Sequence, residues 1–171
     1  FKYNRVKDCI RKIAGLDENI VKYPIGMNNE FRYRNKVQFP VGLVNGKVAI
    51  GFFSEKTHEI IDMDTCILQD EESEKVVRYI RSWINTYNII PARKDGKFYS
   101  KGLLRHIVIR KSFKTNDIMV VLVTTDKDIP HKEELINILT QEIPSVKSII
   151  QNINNKDIKW VMGEKCITLY G

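Results

Sequence analysis

The sequence predicts an α+β domain, a mostly antiparallel sheet packed by about three helices in the order α-βββ-α-ββ-α-β-ββ. Three observations carry that expectation. Residues 71–87 repeat apolar side chains with helical period, placing Val76, Val77, Ile80, Trp83, Ile84 and Tyr87 on one broad face. Asn45-Gly46 stands between Leu43-Val44 and Val48-Ala49-Ile50, and both turn residues tolerate the positive φ that a two-residue hairpin demands. Ile118 to Val123 is an unbroken apolar run, as expected of a strand covered on both faces.

The remaining elements follow in chain order. Residues 2–14 read as a helix because Val6, Cys9, Ile10 and Ile13 form one stripe, with Gly15 as its stop. Residues 16–31 read as a loop marked by Pro24, Gly26 and Asn28-Asn29. Residues 32–39 alternate, with Arg32, Arg34, Lys36 and Gln38 on one side and Tyr33, Asn35, Val37 and Phe39 on the other. A third strand over 57–63 completes a meander with the hairpin. Asp70, Glu71 and Glu72 open the 71–87 helix, where carboxylates suit the helix dipole. Pro91, Asp95-Gly96 and Gly102 mark 88–102 as loop, and strands follow at 103–111 and 117–125. Pro130 sits near the first turn of a helix over 130–143, with Leu135, Ile138, Leu139 and Ile143 inward. Strands at 146–153, 158–162 and 165–170 finish the chain, and no internal repeat or low-complexity segment interrupts it.

A length of 171 residues suits one domain, or two small lobes sharing a core. With 43% hydrophobic residues, the chain is too apolar to be a disordered tail. A first residue Phe1, and a last residue Gly171 directly after a strand-like run, are what a segment of a longer protein is expected to show. The net charge of +7 and pI of about 9.3 favour a polyanionic partner, nucleic acid before an acidic membrane surface. The same balance also suits a soluble basic protein with no such partner. No apolar stretch approaches the ~20 residues of a membrane helix. Cys9, Cys66 and Cys166 lie far apart, which argues against a disulfide framework and for a reducing cytoplasm. Without a C-x-x-C pair, a self-contained zinc site is not expected.

The most informative local feature is a basic cluster. Between Lys94 and Lys114 seven Lys or Arg (Lys94, Lys97, Lys101, Arg105, Arg110, Lys111 and Lys114) face a single acid, Asp95, with Phe98, Tyr99 and Phe113 interleaved. Cations bind phosphates by releasing counterions, and exposed rings stack on unpaired bases. A solvated loop whose aromatics belong to the core is the bland alternative. Arg32, Arg34 and Lys36 form a second cluster, and Arg34 is its strongest member because a guanidinium donates in a fixed fork. Strand alternation places Arg105 and Lys111 on one face and Arg110 on the other. His58, His106 and His131 share no metal-ligand spacing; His106 reads as a core histidine and His131 as a first-turn helix residue. Dinucleotide, P-loop, zinc-protease and nucleophile-elbow motifs are absent from the sequence. Trp83 and Trp160 read as packing residues.

Several stretches together resemble a known family. They are Asn4-Arg5-Val6; Phe31-Arg32-Tyr33-Arg34-Asn35-Lys36-Val37-Gln38-Phe39-Pro40-Val41-Gly42; Gly51-Phe52-Phe53; His58-Glu59-Ile60-Ile61-Asp62; Cys66-Ile67-Leu68-Gln69; Gly102 to Arg110; Val146-Lys147-Ser148-Ile149 with Asn152-Ile153-Asn154; and Leu169-Tyr170-Gly171. In this order they resemble the bacterial ribosomal-RNA uracil-C5-methyltransferases, over essentially the whole length. The resemblance implies that residues 1–171 are the central RNA-binding domain of a cytoplasmic enzyme, between an N-terminal barrel and a C-terminal domain that binds S-adenosylmethionine. It implies a cysteine thiolate that attacks uracil C6 so that C5 can accept a methyl group, followed by loss of the C5 proton to a base. The target uridine must be exposed or flipped out first. No cysteine here matches that nucleophile, so no catalytic residue is expected in the chain. Cys66 resembles the fourth ligand of a [4Fe–4S] cluster whose other three cysteines would precede Phe1. The RNA-contact candidates are Arg32, Arg34, Lys36, Lys101, Arg105, Arg110 and Lys111, with Arg34 nearest the uridine or its phosphate and ribosomal RNA as the partner. A stand-alone RNA-binding module and a purely structural bracing domain are the alternatives.

Overall fold

The computed structural model describes residues 1–57, 59–95, 98–156 and 160–171, and for residues 93–95 and 98–101 it describes the backbone alone. The sequence readings on His58, on residues 157–159, and on the side chains of Lys94, Lys97, Phe98, Tyr99 and Lys101 lie outside what is described. The chain divides into Phe1–Glu30 and Phe31–Gly171.

The first unit holds helix α1 (Lys2–Lys12) and a 3-10 turn at Glu18–Ile20. Glu18 joins the two, taking Lys7 Nζ at 3.1 Å and Arg11 Nε at 3.0 Å. The predicted apolar stripe is present, and none of the helix's residues is buried.

The second unit is built on a seven-stranded sheet. Strands β1 (Lys36–Val44), β2 (Lys47–Phe53) and β3 (Ile60–Asp62) form the expected meander. After helix α2 (Glu71–Thr86) come the short strands β4 (Arg93–Asp95) and β5 (Phe98–Lys101), then β6 (Leu104–Lys111) and β7 (Ile118–Thr124). Helix α3 (Lys132–Glu142), β8 (Val146–Ile153) and β9 (Lys165–Tyr170) complete it. The strand order is β3-β2-β1-β6-β7-β8-β9, with β4 and β5 paired separately. Every pair is antiparallel except β7–β8, the parallel pair that α3 connects by a crossover.

The hairpin closes as its residues require: Val44 opposes Lys47, and Asn45 and Gly46 take φ of 51° and 78°. Asp70 caps α2 by accepting the Glu72 N–H at 3.0 Å. The apolar face of α2 (Val76, Val77, Ile80, Trp83, Ile84) and that of α3 (Leu135, Leu139) pack on one side of the sheet, against Val37, Phe39, Ile107, Ile109, Val120 and Leu122. Trp83 is 1% exposed and donates its indole N–H to the His131 carbonyl at 2.9 Å, so it packs as expected. A smaller cluster, Val108, Val121 and Val123 with Met119, Ile150 and Val161, covers the opposite side. The apolar run of β7 is therefore buried on both faces.

Four expectations change. The strand expected over 32–39 begins only at Lys36, because Arg32 adopts left-handed φ of 58° and residues 32–34 are held to the 67–69 backbone instead. The loop expected over 88–102 contains β4 and β5. Residues 160–162 are not a strand: the carbonyls of Trp160 and Val161 accept from the Asn154 side chain rather than from a neighbouring strand. His131 precedes α3 in left-handed conformation (φ 53°) rather than lying in its first turn. Among the described residues, no helix is long and apolar enough to cross a membrane.

Candidate nucleic-acid interface

Strand register decides which cations meet. Lys36 pairs with Arg110, Arg110 with Met119, and Met119 with Ser148, so these four form one row across β1, β6, β7 and β8. The adjacent row, Val37, Ile109, Val120 and Ile149, enters the helix-side core. Because a pleated strand alternates, the Lys36–Ser148 row faces the other way. An open groove of about 530 Å³ lies there, lined by Asn35, Lys36, Arg110, Lys147 and Ser148 among others. Asp117 is its carboxylate, in the 112–117 turn that also displays Phe113 and Lys114 to solvent. Arg34, two residues before Lys36, is exposed as well. None of Arg34, Lys36, Arg110 and Lys147 forms a side-chain hydrogen bond or ion pair with a described residue.

The other sequence candidates are engaged inside the fold. Lys111, next to Arg110, turns to the helix side and donates to Asp70 at 2.9 Å and Glu72 at 2.8 Å, with 9% of its side chain exposed. Burial alone would lower its pKa; the bonds to Glu72 and Asp70 outweigh that and hold it above the ordinary value. Arg105 is 4% exposed and gives Nη1 to the carbonyls of Asn154 at 2.6 Å and Lys156 at 3.1 Å. The register between β6 and β7 shifts at this residue, so alternation does not carry from Lys111 back to Arg105. Arg32 bridges the carbonyls of Cys66 and Gln69, at 3.1 and 2.9 Å, to the buried carboxylate of Glu74. Lys101 lies on β5, its side chain outside what is described. His106 is buried, and desolvation with the nearby Arg105 cation pushes its pKa down to about 4, so it is a neutral core histidine at pH 7.

Cys66 is partly buried in the turn before α2, its N–H donating to Glu74 Oε1 at 2.9 Å. Among the described residues no three His, Cys, Asp or Glu side chains are grouped to hold a metal ion, and Cys66 offers one thiolate where an iron–sulfur cluster takes four. The described residues alone therefore do not fit such a cluster. The cationic groove likewise does not suit S-adenosylmethionine, whose sulfonium is itself a cation.

Two surface features escaped the sequence reading. Lys147 joins the groove only because β8 crosses over to lie beside β7. Trp160 is 69% exposed rather than buried. A basic residue on a polar strand position was the available signal for the first; nothing local distinguished the second.

No family model matches the chain. It is 46% identical over 173 residues to a protein of Clostridium acetobutylicum named an uncharacterized RNA methyltransferase, covering 100% of this chain and 37% of the relative. A protein of the same name from Clostridium tetani is 46% identical over 171 residues, covering 100% and 36%. The crystal structure of Pyrococcus abyssi tRNA (uracil-54, C5)-methyltransferase with S-adenosyl-L-homocysteine superposes with TM-score 0.67 at 20% identity, over 97% of this chain and 37% of that one. That likeness establishes the fold. The chain spans little more than a third of the curated relatives, and along its whole length it is similar to one segment of proteins named RNA methyltransferases.

Proposed function

We propose that this chain is the RNA-recognition domain of a cytoplasmic, S-adenosylmethionine-dependent enzyme that methylates uridine C5 in ribosomal RNA. The observation that carries the reading is the row of exposed cations that form no side-chain bond with a described residue, Lys36 beside Arg110 with Lys147 flanking on the sheet face away from the helices, and Arg34 exposed two residues before Lys36. Cations so placed release counterions when phosphates replace them, and they fix the position of an RNA strand without reading its sequence. Arg34 is the contact assigned nearest the target uridine, and Lys101 stays with the proposal on its sequence position. Arg32, Arg105 and Lys111 serve the surface from beneath, by holding the turn before α2, the 154–156 backbone and the α2 N-terminus. The relatives named RNA methyltransferases support the enzyme class. Cofactor and catalytic groups are assigned to protein outside these residues. There too belong the three thiolates that would join Cys66 in an iron–sulfur cluster.

The test is competitive binding of the chain to a ribosomal-RNA fragment, a transfer RNA transcript and duplex DNA, with Arg110→Glu alongside. Ribosomal RNA is expected to bind most tightly, and Arg110→Glu to weaken all RNA binding at least tenfold without loss of folding. Transfer RNA as the preferred ligand would move the substrate to the class named for the Pyrococcus abyssi protein. Equal affinity of wild type and Arg110→Glu would overturn the interface.

A further inference from the structure

We infer that Asp117 accepts a hydrogen bond from a ribose 2′-hydroxyl and thereby lets the cationic groove tell RNA from DNA. This rests on the RNA-binding reading and adds to it a residue, a contact and a basis for discrimination.

Asp117 lines the groove together with Lys36, Arg110 and Lys147 and is partly buried. Its carboxylate nevertheless forms no side-chain hydrogen bond or ion pair with a described residue. Acids that meet cations elsewhere in the fold are paired, as Glu74 is with Arg32, and Asp70 and Glu72 are with Lys111. The backbone that carries Asp117 is fixed on both sides. The Ser112 N–H donates to the Asp117 carbonyl at 2.9 Å, the Asp117 N–H donates to Thr115 Oγ1 at 3.4 Å, and the Ile118 N–H donates to the Ser145 carbonyl at 2.7 Å. Asn116, in left-handed conformation (φ 61°), donates its N–H to the Ser112 carbonyl at 2.7 Å. A carboxylate on so constrained a turn loses little conformational freedom when a ligand engages it.

The charge of the groove selects the donor that Asp117 meets. A phosphate laid on Lys36, Arg110 and Lys147 brings only acceptors, and a carboxylate beside it repels it. That repulsion is offset where the ligand carries a hydrogen-bond donor next to its phosphates. Along a nucleic-acid backbone the 2′-hydroxyl is such a donor, and DNA lacks it. Base edges also carry donors, but they lie outside the phosphate–sugar backbone that the cations hold. Hydrogen bonds to a charged acceptor are the stronger ones, so a single contact here separates the two sugars. The groove thus holds both halves of a choice: cations that attract either strand, and an acid that penalises the strand without the hydroxyl.

The experiment measures binding of the chain to a short oligouridylate, to its 2′-deoxy counterpart and to its 2′-O-methyl counterpart, which keeps the oxygen and loses the donor. Wild type, Asp117→Ala, Asp117→Asn and Arg110→Glu are compared. Wild type is expected to prefer the ribo strand over both others by about tenfold. Asp117→Ala is expected to abolish that preference. Asp117→Asn, which keeps an acceptor without the charge, is expected to retain part of it and guards against a folding defect in the alanine variant, which circular dichroism checks directly. A preference that persists in Asp117→Ala, while Arg110→Glu weakens binding, would overturn the contact and leave the RNA reading standing. Three other results would overturn the contact in the same way: no preference in wild type, equal binding of the ribo and 2′-O-methyl strands, or an Asp117→Ala variant that tightens all three strands alike. No binding of any strand by wild type would overturn both.

Discussion

Lys111→Met preserves most of the side chain's length and removes its charge, leaving Asp70 and Glu72 without their shared cation. Two limits bracket the cost. Breaking a fully buried pair by removing one partner costs about 3–5 kcal/mol, whereas an exposed pair is worth about 0–1 kcal/mol. Lys111 and Asp70 are near the first limit, at 9% and 15% side-chain exposure, but Glu72 is 32% exposed and water screens it. The stranded carboxylates also keep other partners, since Asp70 still caps α2 and Glu72 still accepts from Ser145 Oγ at 3.0 Å. Both sit at the positive end of the α2 dipole. The expected loss is therefore about 2 kcal/mol. With a urea slope of roughly 2 kcal/mol per molar, the unfolding midpoint falls by about 1 M. Since the folded pKa lies above the ordinary 10.5, this stabilisation is complete below that value and fades only as pH rises through the folded pKa. The deficit is thus constant from neutral to mildly alkaline pH. A midpoint unchanged or raised would refute the reasoning, and so would a loss of RNA affinity in the folded variant, because the Lys111 ammonium is already bound to Asp70 and Glu72 although the residue borders the groove.

Arg105→Met is expected to cost about 3 kcal/mol, the penalty for removing a buried charged donor from the carbonyls it serves, and to speed amide exchange at residues 154–156 and 160–165 first. His106 is expected to make stability fall in acid. Its folded pKa of about 4 lies below the ordinary 6.5, so its contribution is complete above 6.5 and is lost as pH falls towards 4. The full loss is about 3 kcal/mol at 1.36 kcal/mol per pKa unit, and His106→Leu should flatten the slope of stability against pH in that window.

What was legible in the sequence was local. The Asn45-Gly46 turn fixes its hairpin through the φ values of two residues, and the period of Val76, Ile80, Trp83 and Ile84 fixes the buried face of α2. The expected division of Arg110 from Lys111 also held, because alternation survives from 106 to 111. It failed at Arg105, where the register shift is set by pairing with a strand far along the chain. The apolar residues at 160–162 read as a strand because periodicity does not reveal that Asn154 satisfies their carbonyls. Arg32 carried the same charge in the sequence as Arg34, yet a left-handed backbone and the carboxylate of Glu74 draw it inward. Which cation is spent on the fold and which is left for a ligand depends on partners 34 to 51 residues away, as the Arg32 and Arg105 bonds illustrate.

The salt dependence of RNA binding tests the interface most directly. Wild-type chain is titrated with single-stranded ribosomal-RNA fragment at several salt concentrations, beside a variant with Lys36, Arg110 and Lys147 changed to Ala. Four phosphate-binding cations give a slope of log affinity against log salt of about −3, and removing three of them leaves about −0.7. A wild-type slope near zero, or a variant slope as steep as wild type, would show that these side chains do not hold the RNA backbone.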